Sequence, residues 1–181
     1  MTKSSTNKGA FKIKHNDFII QKYIERPQLI MQRKFDFRVW VLFDQDQNLY
    51  IFREGYIRMS GEDYGIDPND VDNAGVHLTN NAVQKNLDTY GKYEDGNIIS
   101  YKRYQEVLNK EQPDCGIDIY EHIVPMMKAI ILKTFYAVRK TIDPQKRKYT
   151  FEMFGYDFIL DEDFNTWLIE VNTNPCLEES N

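Results

Sequence analysis

The sequence predicts an α+β domain with a mostly antiparallel sheet and packed helices. Strand-like segments occur in pairs separated by short polar turns, and strands joined in this way pair antiparallel. One long segment, Ile117–Ile142, has the apolar periodicity of an amphipathic helix. We expect this helix to pack its apolar stripe on the sheet.

The first predicted strands lie in the amino-terminal third of the chain. Phe18–Ile24 is a short apolar run that ends at a Glu-Arg-Pro sequence. Phe35–Phe43 alternates strictly, the polar sequence Asp44–Asn48 follows as a turn, and Leu49–Arg58 is predicted to return as the second strand of a hairpin.

The strand Phe35–Phe43 and the residue before it carry charges on one face and apolar residues on the other. Lys34, Asp36 and Arg38 share a face because side chains alternate along a strand. Two interpretations are open at this point. The face is either solvated, or it is covered and its cations meet an anionic ligand such as a triphosphate.

The middle of the chain, Met59–Asp114, is rich in Gly, Asp and Asn and is predicted to form long loops with one helix near Tyr101–Asn109. Long irregular segments in compact domains are often functional. In the helix that follows, Pro125 is expected either to cause a kink or to mark the first turn.

The carboxyl-terminal hairpin, Phe151–Leu160 with Thr166–Asn172, contains the strongest candidate site. Glu170 and Asn172 share a face of their strand, and Asp157 lies roughly opposite if the turn closes near Asp163. Two carboxylates and an amide oxygen suit Mg²⁺. The alternative from spacing alone is that these are ordinary exposed strand residues.

Composition excludes several classes. The chain has 181 residues, 41% of them hydrophobic, and a net charge of −5, which gives no reason to expect nucleic-acid binding. No apolar run is long enough to span a bilayer, so we expect no membrane partner. Two distant cysteines suit a reducing, cytoplasmic setting. Residues 1–17 are expected to be a flexible lead-in and 18–181 the folded part.

Seven segments, in this order, resemble the tubulin–tyrosine ligase-like family of ATP-grasp ligases. They are Ile20–Glu25, Arg33–Leu42, Phe52–Arg58, His77–Asn80, Tyr90–Asn97, Phe154–Phe158 and Trp167–Leu177. The resemblance implies a partial ATP-grasp fold, with this chain as the carboxyl-terminal portion of the catalytic unit.

The resemblance also implies roles for individual residues. Those expected to bind ATP are Gln21, Lys22, Tyr23 and Ile24 at the adenine hinge, with Lys34, Asp36, Thr79 and Asn80 lining the cleft. Arg38 and Arg53 are the candidate catalytic residues: Arg38 would order the phosphates or the acyl group, and Arg53 would clamp the α-carboxylate of the incoming amino acid. His77, Asn81 and Lys85 are further candidate substrate contacts, and Asp157, Glu170 and Asn172 would hold Mg²⁺.

The implied reaction joins a free amino acid to a protein carboxylate through an acyl phosphate, with ATP and Mg²⁺ as cofactors. Tubulin or microtubules would be the acceptor, and the microtubule cytoskeleton, cilium or basal body the setting. The donor stays open among glutamate, glycine and tyrosine. Tyr90–Asn97 is more similar to the tyrosine-adding enzyme, and Asn174–Leu177 to the glutamylase and glycylase branches. The alternative is a microtubule-associated structural or binding module that keeps the fold without turnover.

Overall fold

The computed structural model describes residues 20–67 and 71–177. The described part is an α+β fold whose sheet contains seven strands, all paired antiparallel. The predicted lead-in, residues 1–17, and Phe18 and Ile19 of the first predicted strand lie outside the described residues. The strands are β1 Leu29–Ile30, β2 Arg33–Asp44, β3 Leu49–Ile51, β4 Tyr56–Asp63, β5 Ile98–Ser100, β6 Phe151–Leu160 and β7 Thr166–Thr173.

The helices are α1 Ala74–His77, α2 Asn81–Gln84, α3 Tyr101–Glu111 and α4 Val124–Val138. A π-helical turn, Ile119–Ile123, precedes α4, and Pro125 stands in the first turn of α4. Proline has no backbone N–H, so Pro125 donates no hydrogen bond to the π-helical turn that precedes it. Among the helices of the described part, none has the length and apolar character needed to cross a bilayer.

Strand β2 is the centre of the sheet, and its alternation is as predicted. Its odd-numbered residues from Phe35 to Phe43 are all buried under α3 and α4. Tyr104 of α3 packs against Phe35 and Phe37, and Phe135 of α4 packs against Phe43. The helices therefore cover one face of the sheet, and the polar face of β2 points away from them.

The predicted return strand Leu49–Arg58 is interrupted. Its first part, β3, pairs with the carboxyl-terminal half of β2, and its second part, β4, pairs with the amino-terminal half. Ile51 lies opposite Val41 and Tyr56 opposite Arg38, so the register shifts by two residues across the link 53–55. Strand β4 then continues to Asp63, five residues beyond the predicted end.

Two further expectations are wrong. Residues 20–24 form no strand in the structure; the chain first joins the sheet at Pro27, which bridges to Asp161, and the Ile20 side chain is 97% exposed. Without a neighbouring strand or apolar burial, an apolar run has no reason to extend as β-structure.

The segment Met59–Asp114 is also more regular than predicted, because it holds the end of β4, the strand β5 and two short helices.

The carboxyl-terminal hairpin is confirmed, with a bulge. Leu160 pairs with Thr166 and Phe158 with Leu168, but Asp157 pairs with Glu170. Ile169 is therefore the extra residue. Because of this bulge, Glu170 rather than Ile169 lies directly opposite Asp157.

Candidate functional site

A row of charged side chains crosses the sheet on the face away from the helices. Asp36 of β2 lies opposite Arg58 of β4, and Arg38 lies opposite Asp157 of β6. Asp157 in turn lies opposite Glu170 of β7. Directly paired residues project to the same face. Side chains from four strands therefore meet in one place.

Arg58 joins two of the carboxylates in this row. Its Nε and Nη2 donate to the two oxygens of Asp36 at 2.7 and 2.6 Å, and its Nη2 also lies 2.9 Å from Oδ2 of Asp157. Asp157 accepts a second, bidentate contact from Arg38. All four side chains are buried. Burial opposes ionisation of Arg58, but hydrogen bonding and attraction to both carboxylates raise its pKa, so it stays charged.

This geometry decides one of the open questions about β2. The interpretation of its polar face as a solvated surface is wrong, because Lys34, Asp36 and Arg38 are buried. The arginine and the aspartate find their partners within the protein. An anionic ligand is therefore not needed to explain the burial of Arg38.

Lys34 is held by a different set of groups. Its Nζ donates to the carbonyl oxygen of His77 at 2.9 Å and to the hydroxyl of Tyr23 at 3.0 Å. The Tyr23 hydroxyl also lies 2.9 Å from Nδ1 of His77. Burial lowers the pKa of Lys34, while attraction to Asp36 opposes the shift. Tyr23, from the expected adenine hinge, thus contacts the charged row through Lys34.

The loop between α1 and α2 supplies two more of the predicted residues. Thr79 is buried, and its Oγ1 donates to Oδ2 of Asp36 at 2.7 Å. Asn80 precedes α2, and its exposed side chain makes no capping hydrogen bond with that helix. Asn81 and Lys85 are exposed on and just after α2.

These side chains surround a small cavity of about 120 Å³. Its lining includes seven of the residues predicted from sequence, together with Arg58: Lys34, Asp36, His77, Thr79, Asn80, Asp157 and Glu170. Asn81 and Lys85 are not among the lining residues.

Asp157, Glu170 and Asn172 converge as expected. Nδ2 of Asn172 lies 2.9 Å from Oε1 of Glu170 and 3.4 Å from Oδ2 of Asp157. A cation would require the amide oxygen in that place, which a half-turn of the amide provides. Within residues 20–67 and 71–177 no cluster of three or more His, Cys, Asp or Glu side chains is arranged to hold a metal. Carboxylate and amide oxygens are ligand types that Mg²⁺ accepts while water and phosphate oxygens complete its shell.

Nine of the predicted residues do not line this cavity: Gln21, Lys22, Tyr23, Ile24, Arg38, Arg53, Asn81, Lys85 and Asn172. Arg53 is exposed in the link between β3 and β4, where it lines an apolar groove. Lys22 and Ile24 line a separate cavity beside the turn of the β6–β7 hairpin, and Gln21 is exposed. Their assigned roles stay predictions.

Sequence reasoning did not identify Arg58 as a site residue. Arg58 lines the cavity, whereas the predicted Arg53 does not. A signal was available, because Arg58 and Ser60 alternate with the apolar Ile57 and Met59. This alternation continues the strand past the predicted end and places Arg58 on the charged face. The amides Gln84 and Asn97 were also missed, and no local pattern distinguishes them from ordinary loop residues.

Comparison with known proteins identifies the family of this chain and several relatives. A sequence model of the tubulin-tyrosine ligase family matches residues 2–181. Tubulin glycylase 3B of Tetrahymena thermophila is 36% identical over 171 residues, which cover 92% of this chain and 14% of that protein. Tubulin monoglycylase TTLL3 of Homo sapiens is 36% identical over 175 residues, with 93% and 22% covered. Protein monoglycylase TTLL8 of Homo sapiens is 36% identical over 178 residues, with 91% and 19% covered.

The chain thus spans between 14% and 22% of the length of these three relatives. The family match, by contrast, extends over nearly all of this chain and includes every strand that contributes to the charged row. The chain belongs to the tubulin-tyrosine ligase family.

Proposed function

We propose that this chain forms one wall of an ATP- and Mg²⁺-dependent ligase site that joins glycine to a carboxylate of tubulin or a similar protein. The observation that carries the proposal is the cavity in which Lys34, Arg58, Asp157 and Glu170 meet. Cations suited to phosphate and carboxylates suited to a metal ion lie together there. Phosphoryl transfer needs this combination, because catalysis rests largely on positioning and charge neutralisation.

Three cations lie in or next to the cavity proposed for the nucleotide phosphates and the reacting acyl group: Lys34 and Arg58 line it, and Arg38 donates to the lining residue Asp157. Lys34 is a compact charge that stands at the cavity wall, and the guanidinium groups of Arg38 and Arg58 are planar donors suited to oxyanions. Their present partners, Asp36 and Asp157, hold both arginines in fixed orientations. A preorganised donor loses little freedom when charge develops on the transferring group.

Asp157, Glu170 and Asn172 would hold Mg²⁺. When bound, the ion neutralises charge on the phosphates and orients the γ-phosphoryl group. Glu170 is the exposed carboxylate of the trio, whereas Asp157 is shared with two arginines. We therefore assign the larger part of the metal affinity to Glu170.

The proposed reaction has two steps. An oxygen of the acceptor carboxylate attacks the γ-phosphorus of ATP, the bond to the bridging oxygen breaks, and ADP leaves with an acyl phosphate formed. The amino group of the free amino acid then attacks the acyl carbon, the carbon–oxygen bond to phosphate breaks, and an amide, inorganic phosphate and a proton result.

Glycine is the proposed donor because the relatives described above are named as glycylases. The α-carboxylate of the donor needs a cation in the cleft. Arg58 lines the cavity and Arg53 does not, so Arg58 is the better candidate for this contact.

The cavity is small for its proposed ligand. Sites for small molecules typically have volumes of about 300–1,000 Å³, whereas this one has about 120 Å³. Most of a bound ATP would stay in contact with water, where charge–charge interactions are weak. We expect the 181-residue chain alone to bind Mg·ATP weakly and to ligate nothing at a useful rate.

The metal assignment is tested with Glu170→Gln, which keeps an oxygen but removes the charge. Mg²⁺-dependent ATP affinity, measured by calorimetric titration, should fall by at least about tenfold, while the thermal unfolding midpoint stays unchanged. Glu152→Gln is the matched control, because Glu152 is an exposed glutamate of the same hairpin. Equal nucleotide affinity in the two variants would contradict the assignment.

The reaction is tested with a longer protein in which this chain replaces the corresponding segment of the Tetrahymena glycylase. Radiolabelled glycine, glutamate and tyrosine are offered separately with microtubules. We expect glycine incorporation by the longer protein and none by the 181-residue chain. Incorporation of another amino acid would overturn the assignment of the donor, and none at all from a folded chimera would favour the non-catalytic binding module.

A further inference from the structure

Three consecutive backbone carbonyls, those of the last residue of α1 and of the two residues that follow it, each accept a hydrogen bond from a side chain elsewhere in the chain. Lys34 Nζ donates to the carbonyl of His77 at 2.9 Å. Gln84 Nε2 donates to the carbonyl of Leu78. Asn97 Nδ2 donates to the carbonyl of Thr79 at 2.8 Å.

Two of these donors have no part in the charged row. Gln84 is 1% exposed and Asn97 is 3% exposed. Each amide also donates to a second carbonyl, Gln84 to that of Gly75 and Asn97 to that of Met59 at 3.1 Å. Asn97 therefore ties the loop directly to the β4 backbone.

Both amides are oriented so that their NH₂ groups, and not their oxygens, face the backbone carbonyls. Oε1 of Gln84 and Oδ1 of Asn97 are buried and have no hydrogen-bond partner within the described residues. Leaving a buried oxygen unpaired is unfavourable, so the donated bonds must outweigh that loss. Gly61 of β4 leaves space for the Gln84 side chain. A Cβ at position 61 would lie 2.6 Å from Oε1 of Gln84.

The consequence is a fixed position for Thr79 and Asn80. With its carbonyl held by Asn97, Thr79 directs its hydroxyl to Asp36 at 2.7 Å. Asn80 follows immediately, and its side chain is exposed at the cavity. A loop without these bonds would sample other conformations, and the apparent affinity of a ligand falls with the fraction of protein in the competent conformation.

We propose that Gln84 and Asn97 are positioning residues that hold the Thr79–Asn80 loop in the geometry that binds nucleotide. This inference rests on the proposed function for its ligand. It assigns no contact with ATP to either amide. Their effect passes through the carbonyls of Leu78 and Thr79.

The test replaces Gln84 by methionine, which has a similar volume and no donor. Gln28→Met is the matched control, because Gln28 is also buried and its Nε2 has no hydrogen-bond partner within the described part of the chain. Two quantities are measured on the full 181-residue chain: Mg·ATP affinity by calorimetry, and hydrogen exchange of the Leu78 amide, which donates to Ala74.

We expect Gln84→Met to weaken Mg·ATP binding about tenfold and to speed exchange at Leu78 more than at Ile57 in β4. Gln28→Met should change neither the affinity nor the ratio of the two exchange rates. A uniform rise in exchange with unchanged nucleotide affinity would overturn the proposal, because it would show a role in stability alone.

The hydrogen-exchange measurement tests the positioning role of Gln84 independently of the proposed nucleotide site. If the wild-type chain binds no Mg·ATP, the nucleotide site is refuted, and the Leu78-to-Ile57 exchange ratio alone decides whether Gln84 positions the loop. If Gln84→Met fails to fold, Asn97→Ser removes the neighbouring donor and is judged by the same ratio. An unchanged ratio in that variant would overturn the proposal.

Discussion

Replacing Arg58 by methionine removes the guanidinium that joins Asp36 to Asp157. Asp157 keeps the bidentate contact from Arg38, but Asp36 keeps only the hydroxyl of Thr79 at 2.7 Å. Asp36 is only 4% exposed, so water replaces the lost donor poorly. Breaking a buried ion pair by removal of one partner costs about 3–5 kcal/mol, and we expect Arg58→Met to reduce the free energy of unfolding by this amount near neutral pH.

The cost should depend on pH in a defined direction. Burial already raises the pKa of Asp36 in the wild type, while the hydrogen bonds and attraction of Arg58 oppose the shift; without Arg58 the pKa of folded Asp36 rises further above its value in the unfolded chain. The folded protein then binds more protons than the unfolded chain between these two pKa values, so stability falls as pH rises through that window. The difference between wild type and Arg58→Met should therefore be smaller at pH 5 than at pH 8.

The measurement is urea unfolding followed by circular dichroism at both pH values. Arg26→Met is the control, since Arg26 forms an exposed pair with Glu162 at 2.9 Å; its effect should stay within about 0.5 kcal/mol. If Arg58→Met is too unstable to fold at pH 8, adding Asp36→Asn should restore folding by removing the unpaired charge. An effect no larger than that of Arg26→Met, or no dependence on pH, would refute this account.

Two further stability predictions concern the turn of the hairpin and the link before β4. Asp161→Ala should cost about 1–2 kcal/mol at pH 7, because hydrogen bonds within the turn outweigh the opposing effect of burial and lower the pKa of Asp161. This contribution is fully present above the unfolded-chain pKa of about 3.9 and is lost as pH falls through the lower folded-state pKa. Urea unfolding is the measurement and Asp163→Ala is the control; equal free energies of unfolding in the two variants would contradict the prediction. Gly55→Ala should reduce the free energy of unfolding by about 1–3 kcal/mol, because its Cβ would lie 2.2 Å from the hydroxyl of Tyr101. Gly65→Ala is the control: no atom lies within 4 Å of the added Cβ, so its effect in the same assay should be near zero.

Much of the fold followed from patterns that are local in sequence. The strict alternation in Phe35–Phe43 identified both the buried and the polar face of β2, and the polar turn at Asp161–Asn165 identified the β6–β7 hairpin. The apolar spacing of Ile123, Met127 and Ile131 identified the buried stripe of the π-helical turn and α4. Such patterns are readable because side-chain direction repeats with the backbone geometry of each element.

Sequence patterns within one segment failed to predict the structure where pairing with another strand decides it. Residues 20–24, the described part of the predicted strand Phe18–Ile24, have no partner strand among the described residues and form no strand. The segment Leu49–Arg58 has one continuous pattern, yet its two halves pair with β2 in registers that differ by two residues. A backbone hydrogen bond needs a partner, and the sequence of one segment does not say where its partner lies.

The candidate site shows the same difference between what the sequence predicted and what tertiary contacts decided. Residue types and spacing predicted that Asp36 and Arg38 share one face of β2 and that Glu170 and Asn172 share one face of β7, with Asp157 roughly opposite them; the family resemblance alone brought these two sets to one site. The tertiary structure alone decided that a bulge at Ile169 sets Glu170 opposite Asp157, that Arg58 joins the two buried aspartates, and that Gln84 and Asn97 hold the loop before Asn80. The physical reason is burial: a charge or amide removed from water must find a partner, and that partner is chosen by contacts between residues far apart along the chain.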